Sequence, residues 1–423
     1  MSKSLSNKSH STTSLQFAAK KFVFSPQVGS TTIVENNNLF CSNPPPFATK
    51  GTYWTGSNKI AIVHDSLTAF GGAERVLLTL IEMFPQADVY TSLATPALRR
   101  KVLSSSKGAL HFSKLSNFPL ALRCPSYCKP YFYHYYWPQL NLDAYDLVIS
   151  SSHSFCANWV KVKNKHLSYI YTPPRFLYEE FNEMNWLRHP IIKKVIDPYF
   201  TYLRKKDKEN IQKINLIIAD SKNVQNRIEK YYNRKAEVIY PPVKLPTKIA
   251  KQSKIKQTHY LFFSRLVKQK GIELVIKAFN QNRKPLLVVG TGQQAQKWQQ
   301  MAKPNIKFLG FVSDQQMPDI YAQSKALVYA SIQEDFGMVP VEAMRHGLPV
   351  IAYCDGGVKE TVIEQKTGLF FRKYNEKSLN KVIEQFEKMK FSKENCLKQA
   401  RKFSEQQFSK EIIKVSTSLL EKK

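Results

Sequence analysis

Two carboxylates stand eight positions apart in the stretch Glu334-Asp335-Phe336-Gly337-Met338-Val339-Pro340-Val341-Glu342-Ala343-Met344. Carboxylates are strong acceptors for the hydroxyls of a sugar or a ribose. Pro340 fits a first helical turn, so the pattern predicts a strand ending near Ser331, a loop bearing Glu334 and a helix with Glu342 in its opening turn. The N–H groups of Gly337, Met338 and Val339 then face a ligand, and the helix terminus favours an anion such as phosphate. Glu342 has a second explanation, as an acid that complements the helix dipole, whereas Glu334 has no such structural excuse.

Two cations, Arg265 and Lys270, follow another predicted strand in Ser264-Arg265-Leu266-Val267-Lys268-Gln269-Lys270-Gly271, ahead of a helical pattern at Ile272, Val275, Ile276 and Phe279. An arginine fork and a lysine point charge at a strand's carboxyl end suit a diphosphate, although in so basic a chain the pair also fits coincidence. Upstream, His64-Asp65 leads into Phe70-Gly71-Gly72-Ala73-Glu74-Arg75 and then a helical face at Val76, Leu77, Leu80, Ile81 and Phe84. Gly71 and Gly72 either leave backbone amides open to a phosphate or sugar, or simply make a tight turn. His153 follows a predicted strand ending near Ser151, at the edge where open α/β sheets bind ligands, but a lone histidine equally fits a structural role. Asp355-Gly356-Gly357-Val358 repeats the strand, glycine and helix device and reads as a ligand-facing turn or as a plain helix entry.

Two other motifs carry less. Gly290-Thr291-Gly292-Gln293-Gln294-Ala295 formally fits a dinucleotide turn, but it lies in mid-domain and no acid stands at residues 310–312. No Asp-x-Asp pair occurs anywhere, so no obvious clamp for Mg²⁺ or Mn²⁺ on a nucleotide diphosphate is present. Neither metal nor cofactor is expected; Arg265, Lys270 and backbone amides would neutralise the diphosphate.

The elements that must hold these groups are parallel α/β layers. From Lys59 onward, short β-rich runs alternate with helical patterns, with strands expected at Lys59–His64, Asp146–Ser151, Leu216–Asp220, His259–Ser264, Leu286–Val289, Ala326–Ala330 and Pro349–Tyr353. Prolines and lysines between Tyr240 and about Thr258 mark a linker, so two α/β domains meet near residue 250. The expected division is a leader over 1–57, domains over 58–245 and 246–391, and an amphipathic helix over 392–423. The leader, with Glu35 as its only acid, reads as mostly disordered; a Ser-rich, acid-poor start also matches an organelle transit peptide.

At 423 residues with 43% hydrophobic content, the chain can bury two cores, which excludes a single small module and a wholly disordered protein. No apolar run is long enough to span a bilayer. The excess of 63 Lys and Arg over 32 Asp and Glu attracts nucleic acid, anionic lipid or phosphorylated substrates without choosing among them. Six cysteines without zinc or disulfide spacing read as free thiols in a reducing compartment. Aromatics crowd Phe112–Trp137 beside Lys114, Arg123 and Lys129, and a second such stretch runs from Lys193 to Lys206. Both fit either a membrane interface or a helical core with basic edges.

Taken together, Gly71-Gly72, His153, Arg265-x4-Lys270 and Glu334-x7-Glu342 resemble the retaining family-4 glycosyltransferases of the GT-B fold, over about residues 58–390. Phrases such as IVHDSLTAFGGAERV and EDFGMVPVEAMRHGLPVIAY look most like bacterial mannosyltransferases of surface-polysaccharide or lipopolysaccharide assembly. The resemblance implies two Rossmann-like parallel-sheet domains facing a central cleft. It also implies that Arg265 and Lys270 bind the donor diphosphate, Glu342 the ribose and Glu334 the sugar, with His153 reaching the sugar from the other domain. The expected reaction is metal-independent, retaining transfer of a hexose, mannose from GDP-mannose, to a glycan or lipid-linked acceptor at the cytoplasmic face of an anionic membrane. The alternatives are a UDP-sugar donor and, from another class, a basic nucleic-acid-binding protein; no recognised nucleic-acid module is present, so no specific nucleic-acid partner is expected.

Overall fold

The structure is a computed structural model and describes residues 22–23, 30–33, 53–153, 159–178, 190–244 and 257–422. Two sheets form. In the first, strands β1 (Phe22–Val23), β2 (Ser30–Ile33), β3 (Ile60–His64), β4 (Asp88–Thr91), β5 (Leu110–Ser113), β6 (Leu147–Ser152), β7 (Lys165–Ile170), β8 (Leu216–Ala219) and β9 (Glu237–Val238) take the order β1-β2-β5-β4-β3-β6-β7-β8-β9. From β5 to β9 every pairing is parallel, while β2 joins β5 and β1 joins β2 antiparallel.

The second sheet is wholly parallel: β10 (His259–Phe263), β11 (Leu286–Val289), β12 (Ile306–Gly310), β13 (Ser324–Tyr329), β14 (Val350–Tyr353) and β15 (Gly368–Phe371), ordered β12-β11-β10-β13-β14-β15. Central strands of parallel sheets are covered on both faces and need apolar residues throughout. Ala61, Ile62 and Val63 of β3 and Ala326, Leu327 and Val328 of β13 accordingly lose all solvent contact. Helices such as Gly72–Met83 and Ile272–Asn282 bury one apolar stripe against each sheet.

The boundaries differ from expectation at both ends. The leader is not uniformly irregular, since Ser30–Ile33, with two threonines and an isoleucine suited to a pleated strand, extends the first sheet. Trp54, also assigned to the leader, packs 5.9 Å from the Phe84 ring and donates its backbone N–H to Met83. The segment 392–423 is two helices rather than one, Lys393–Arg401 and Glu405–Glu421. The first buries Cys396 and Ala400 in the C-terminal domain, and the second returns to bury Phe408, Ile412 and Leu419 in the N-terminal domain. Part of the expected linker, residues 245–256, lies outside the described residues. Its described flank is fastened to the returning chain: Val243 donates to the Phe403 carbonyl at 2.9 Å, and Tyr240 meets the Phe403 ring edge-on at 5.1 Å.

Candidate active site

The predicted residues sit at the carboxyl ends of β3, β6, β10 and β13, where the two domains meet. Gly71 caps the helix Gly72–Met83, and its N–H donates to Glu74 Oε2 at 2.7 Å. That amide is therefore engaged internally, which favours for Gly71 the tight turn of the two alternatives the sequence left open. Gly72 faces the other domain so closely that a methyl there would stand 2.9 Å from Met338 Sδ. Two residues read separately as ligand contacts thus touch each other.

His153 is held by a residue the sequence reading had passed over. Asp65, fully buried after β3, accepts the His153 backbone N–H at 2.6 Å. The same oxygen lies 3.1 Å from His153 Nδ1, in ion-pair range but not aligned as a hydrogen bond. Beside them His64 Nδ1 pairs with Ser151 Oγ at 3.0 Å, and its Nε2 lies 3.7 Å from Glu74. Burial pushes the Glu74 carboxyl up, but the neighbouring His64 and, after it, His153 outweigh it and leave Glu74 below the usual carboxylate range.

In the C-terminal domain Lys270 ends a short turn after β10, and its Nζ lies 2.6 Å from Glu334 Oε2. Ser331 Oγ donates to the same oxygen at 2.5 Å. Burial pushes Glu334 up, but Lys270, Ser331 and Tyr329 reverse this and hold it at about 2. Glu334 is thus a fixed anion. Arg265 is exposed and makes no ion pair among the described residues.

Glu342 occupies the second turn of the helix Met338–Met344, not the first as expected, so the helix-dipole explanation loses its basis. It has neither a hydrogen bond nor an ion pair among the described residues, and burial raises its pKa against the charges of Arg75 and Arg345. Met338 and Val339 open that helix, where amides lack an intrahelical acceptor, and Gly337 caps it with φ of 87°.

Both glycine motifs left open by the sequence turn out to be supports. A side chain at Gly356 or Gly357 would collide with the backbone of Glu334 or Asp335, at 2.2 and 2.1 Å, so this turn cradles the Glu334 loop. A side chain at Gly292 would meet the Leu266 carbonyl at 2.0 Å, so the dinucleotide-like turn buttresses the Arg265 loop.

Sequence reasoning also missed the residues that join the domains. Asp335 accepts Arg175 at 2.7 Å and Arg227 at 2.5 Å, both from the N-terminal domain. Arg75 pairs with Asp314 at 2.9 Å, and Glu360 accepts the backbone amides of Lys222 and Asn223, both at 2.9 Å. The adjacency of Asp335 to Glu334 was the available signal. Among the described residues no three His, Cys, Asp or Glu side chains group as a metal site requires.

The chain matches two family models in succession, "Glycosyltransferase Family 4" over residues 70–245 and "Glycosyl transferases group 1" over residues 245–403. It is 32% identical over 164 residues to the O-antigen chain mannosyltransferase RfbU of Salmonella typhimurium, covering 36% of this chain and 45% of that one. To the alpha-1,3/1,6-mannosyltransferase alg2 of Schizosaccharomyces pombe it is 24% identical over 375 residues, covering 73% and 70%. Against an uncharacterized glycosyltransferase of Methanocaldococcus jannaschii, at 30% identity over 128 residues and 28% of this chain, it spans only 33% of the relative's length. Among solved structures, Anabaena Alr3699/HepE in complex with UDP superposes with a TM-score of 0.63 at 20% identity, over 85% of this chain and 100% of that one. The lipopolysaccharide outer core galactosyltransferase WaaB superposes at 0.60 and 18%, over 85% and 99%. The two parallel-sheet domains are the GT-B architecture, and the chain belongs to the family-4-like glycosyltransferases of that fold.

Proposed function

We propose that the chain transfers a hexose from a nucleotide sugar to a glycan or lipid-linked acceptor, with retention at the anomeric carbon and without a metal, and that the donor is GDP-mannose. The observation that carries this reading is the Lys270–Glu334 pair, a cation and a fixed anion side by side at the carboxyl ends of two adjacent strands. Lys270 and Arg265 take the donor diphosphate and stabilise its charge as the bond from the anomeric carbon to the phosphate oxygen breaks. Glu334, ionised at every working pH, accepts hydroxyls of the sugar and steadies positive charge on it. Glu342 accepts the ribose hydroxyls, and the open amides of Met338 and Val339 face the phosphates. His153, oriented by Asp65, meets the sugar from the N-terminal domain. The acceptor hydroxyl attacks on the face the diphosphate leaves, its proton passes to a diphosphate oxygen, and no protein nucleophile is needed.

The kinship to mannosyltransferases in sequence supports mannose. A UDP-sugar is the second reading, favoured by the UDP complex of the Anabaena structure. The chain would work at the inner, cytoplasmic face of a membrane; among the described residues no helix is long and apolar enough to cross one. The test is turnover of a nucleotide-sugar panel in EDTA by wild type, Lys270→Ala and Glu334→Ala. Turnover of a GDP-sugar that each substitution lowers by about 10²- to 10³-fold is expected; equal rates in all three would refute the site.

A further inference from the structure

Eleven large hydrophobic side chains are exposed among the described residues, and six of them fall on two adjoining stretches of the N-terminal domain. Phe118, Leu120, Tyr127 and Tyr135 lie on the succession of short helical turns from Lys114 to Gln139, and Val195 and Tyr202 on the helix Pro190–Ile211. Their exposure runs from 45% to 73%, far beyond what an isolated surface apolar residue requires. The crowded aromatics seen in the sequence thus divide in two. Phe112, Phe132, Tyr133, Tyr136 and Trp137 are core residues with Tyr131 packed against them, whereas Phe118, Tyr127 and Tyr135 are left in solvent.

The two stretches are fastened to each other. His134 Nε2 pairs with the Tyr199 hydroxyl at 3.1 Å, and its ring stacks 6.1 Å from Tyr202. Lys129 lies 4.2 Å over the Phe176 ring, which meets Phe200 edge-on at 6.2 Å. On the long helix, exposed Lys194, Pro198, Thr201, Lys205 and Lys208 recur at steps of three and four, so they share one face. Exposed Val195 and Tyr202 adjoin it.

The charge of this region is one-sided. No Asp or Glu occurs from residue 89 through 142, while Arg99, Arg100, Lys101, Lys107, Lys114, Arg123 and Lys129 all do. On the long helix Asp207 is buried and accepts the Tyr178 and Tyr232 hydroxyls, and Glu209 is paired with Lys206, so two of its three acids are spent internally. Aromatic rings with cations around them match the interfacial layer of a bilayer, where rings settle at headgroup level and lysines and arginines meet lipid phosphates.

We propose that residues 114–135 and the exposed face of the helix Pro190–Ile211 form a docking surface for an anionic lipid bilayer. Phe118, Leu120, Tyr127 and Tyr135 enter the headgroup layer, and Lys114, Arg123, Lys194 and Lys205 meet the lipid phosphates. The inference rests on the membrane location proposed above but not on the identity of the donor. A lipid-linked acceptor would then reach the cleft by diffusing in the plane of the membrane.

The test is flotation of the full chain with vesicles of phosphatidylcholine alone or with about a third phosphatidylglycerol. Wild type is expected on the anionic vesicles only. The variant Phe118→Ser/Leu120→Ser/Tyr127→Ser/Tyr135→Ser should bind at least about tenfold more weakly with an unchanged melting temperature, these side chains being already in solvent. A control, Lys303→Ala/Lys307→Ala/Lys381→Ala/Lys390→Ala on exposed positions of the far domain, removes four cations outside the docking surface and should bind within about twofold of wild type. Wild type failing to float, the aromatic variant floating like wild type, or the control losing as much as the variant would each overturn the proposal. Hydrolysis of the donor in vesicle-free solution should be equal in wild type and variant, so failure to dock is distinguishable from failure to transfer.

Discussion

The Lys270 ammonium stands 2.6 Å from a Glu334 carboxylate oxygen although 64 positions of sequence separate them. On the function proposed above, the donor enters by exchange: the diphosphate takes over Lys270 while sugar hydroxyls donate to Glu334. Lys270 then keeps an anionic partner and Glu334 keeps hydrogen-bond donors, so neither partly buried group is left without a polar partner.

Removing either partner should be costly and their losses should not add. Lys270→Ala or Glu334→Ala alone should lower kcat/KM for the donor by about 10²- to 10³-fold. The double variant should fall no more than about tenfold below the worse single one, because the two groups act as a unit. Initial rates with saturating acceptor measure this, and fully multiplicative losses would show that the groups work apart. Since Glu334 is held at about 2, below its ordinary 4.5, its stabilising effect is present above pH 4.5 and is lost only as pH falls through about 2. The acid limb of a pH–rate profile should therefore survive unchanged in Glu334→Gln.

Gly72 and Gly357 both touch the site loops, yet substitution should act differently at each. A methyl at Gly72 meets the flexible end of Met338 at 2.9 Å, whereas one at Gly357 meets the Asp335 carbonyl at 2.1 Å and the Phe336 Cα at 2.7 Å. Gly72→Ala should cost under about 1 kcal/mol, while Gly357→Ala should cost about 2–4 kcal/mol, because backbone cannot step aside as a thioether can. Urea unfolding would compare them; equal costs would mean that the Glu334 loop is free to relax.

The two parallel-sheet domains were legible in the sequence, but not every strand that builds them. Strands with unbroken apolar runs, such as β3 and β11, were legible because burial on both faces imposes that composition. Lys165–Ile170 escaped notice although it lies within the sheet, since His166 and Ser168 interrupt its pattern; the His166 ring is accommodated by pairing with Ser150 Oγ at 2.8 Å. Asp65 and Asp335 were invisible as functional residues for a related reason. Their importance comes from partners 88, 160 and 108 positions away, which no local spacing reveals.

Two buried histidines predict a loss of stability in acid. Burial holds His166 at about 4, and burial together with the Arg345 charge does the same to His346. The unfolded chain protonates these rings near 6.5 while the folded one resists until about 4. Their contribution to stability is thus complete above pH 6.5 and shrinks as pH falls towards 4, by up to about 1.4 kcal/mol per pH unit for each ring. Melting temperature against pH should show that slope, and His166→Gln, which can still bond Ser150, should flatten it. An unaltered slope in that variant would assign the acid loss elsewhere.

Asp220 should do the reverse. It is fully buried after β8 beside the interdomain clasp, accepting Ser221 Oγ at 3.0 Å, while that hydroxyl also reaches the Asp335 carbonyl at 2.7 Å. Burial first, and then the nearby charge of Asp335, push its carboxyl well above the ordinary 3.8. The unfolded chain releases this proton near pH 3.8 and the folded chain holds it longer, so Asp220 weakens the fold increasingly as pH rises above 3.8. Asp220→Asn keeps an acceptor for Ser221 and removes the titration, so its melting temperature should exceed wild type at pH 8 and converge on it near pH 4. Asp335→Ala, by contrast, strips Arg175 and Arg227 of a shared partner and should destabilise by about 2–4 kcal/mol. If Asp220→Asn melts below wild type at pH 8, the carboxyl is ionised there and supports the clasp as a second anion beside Asp335.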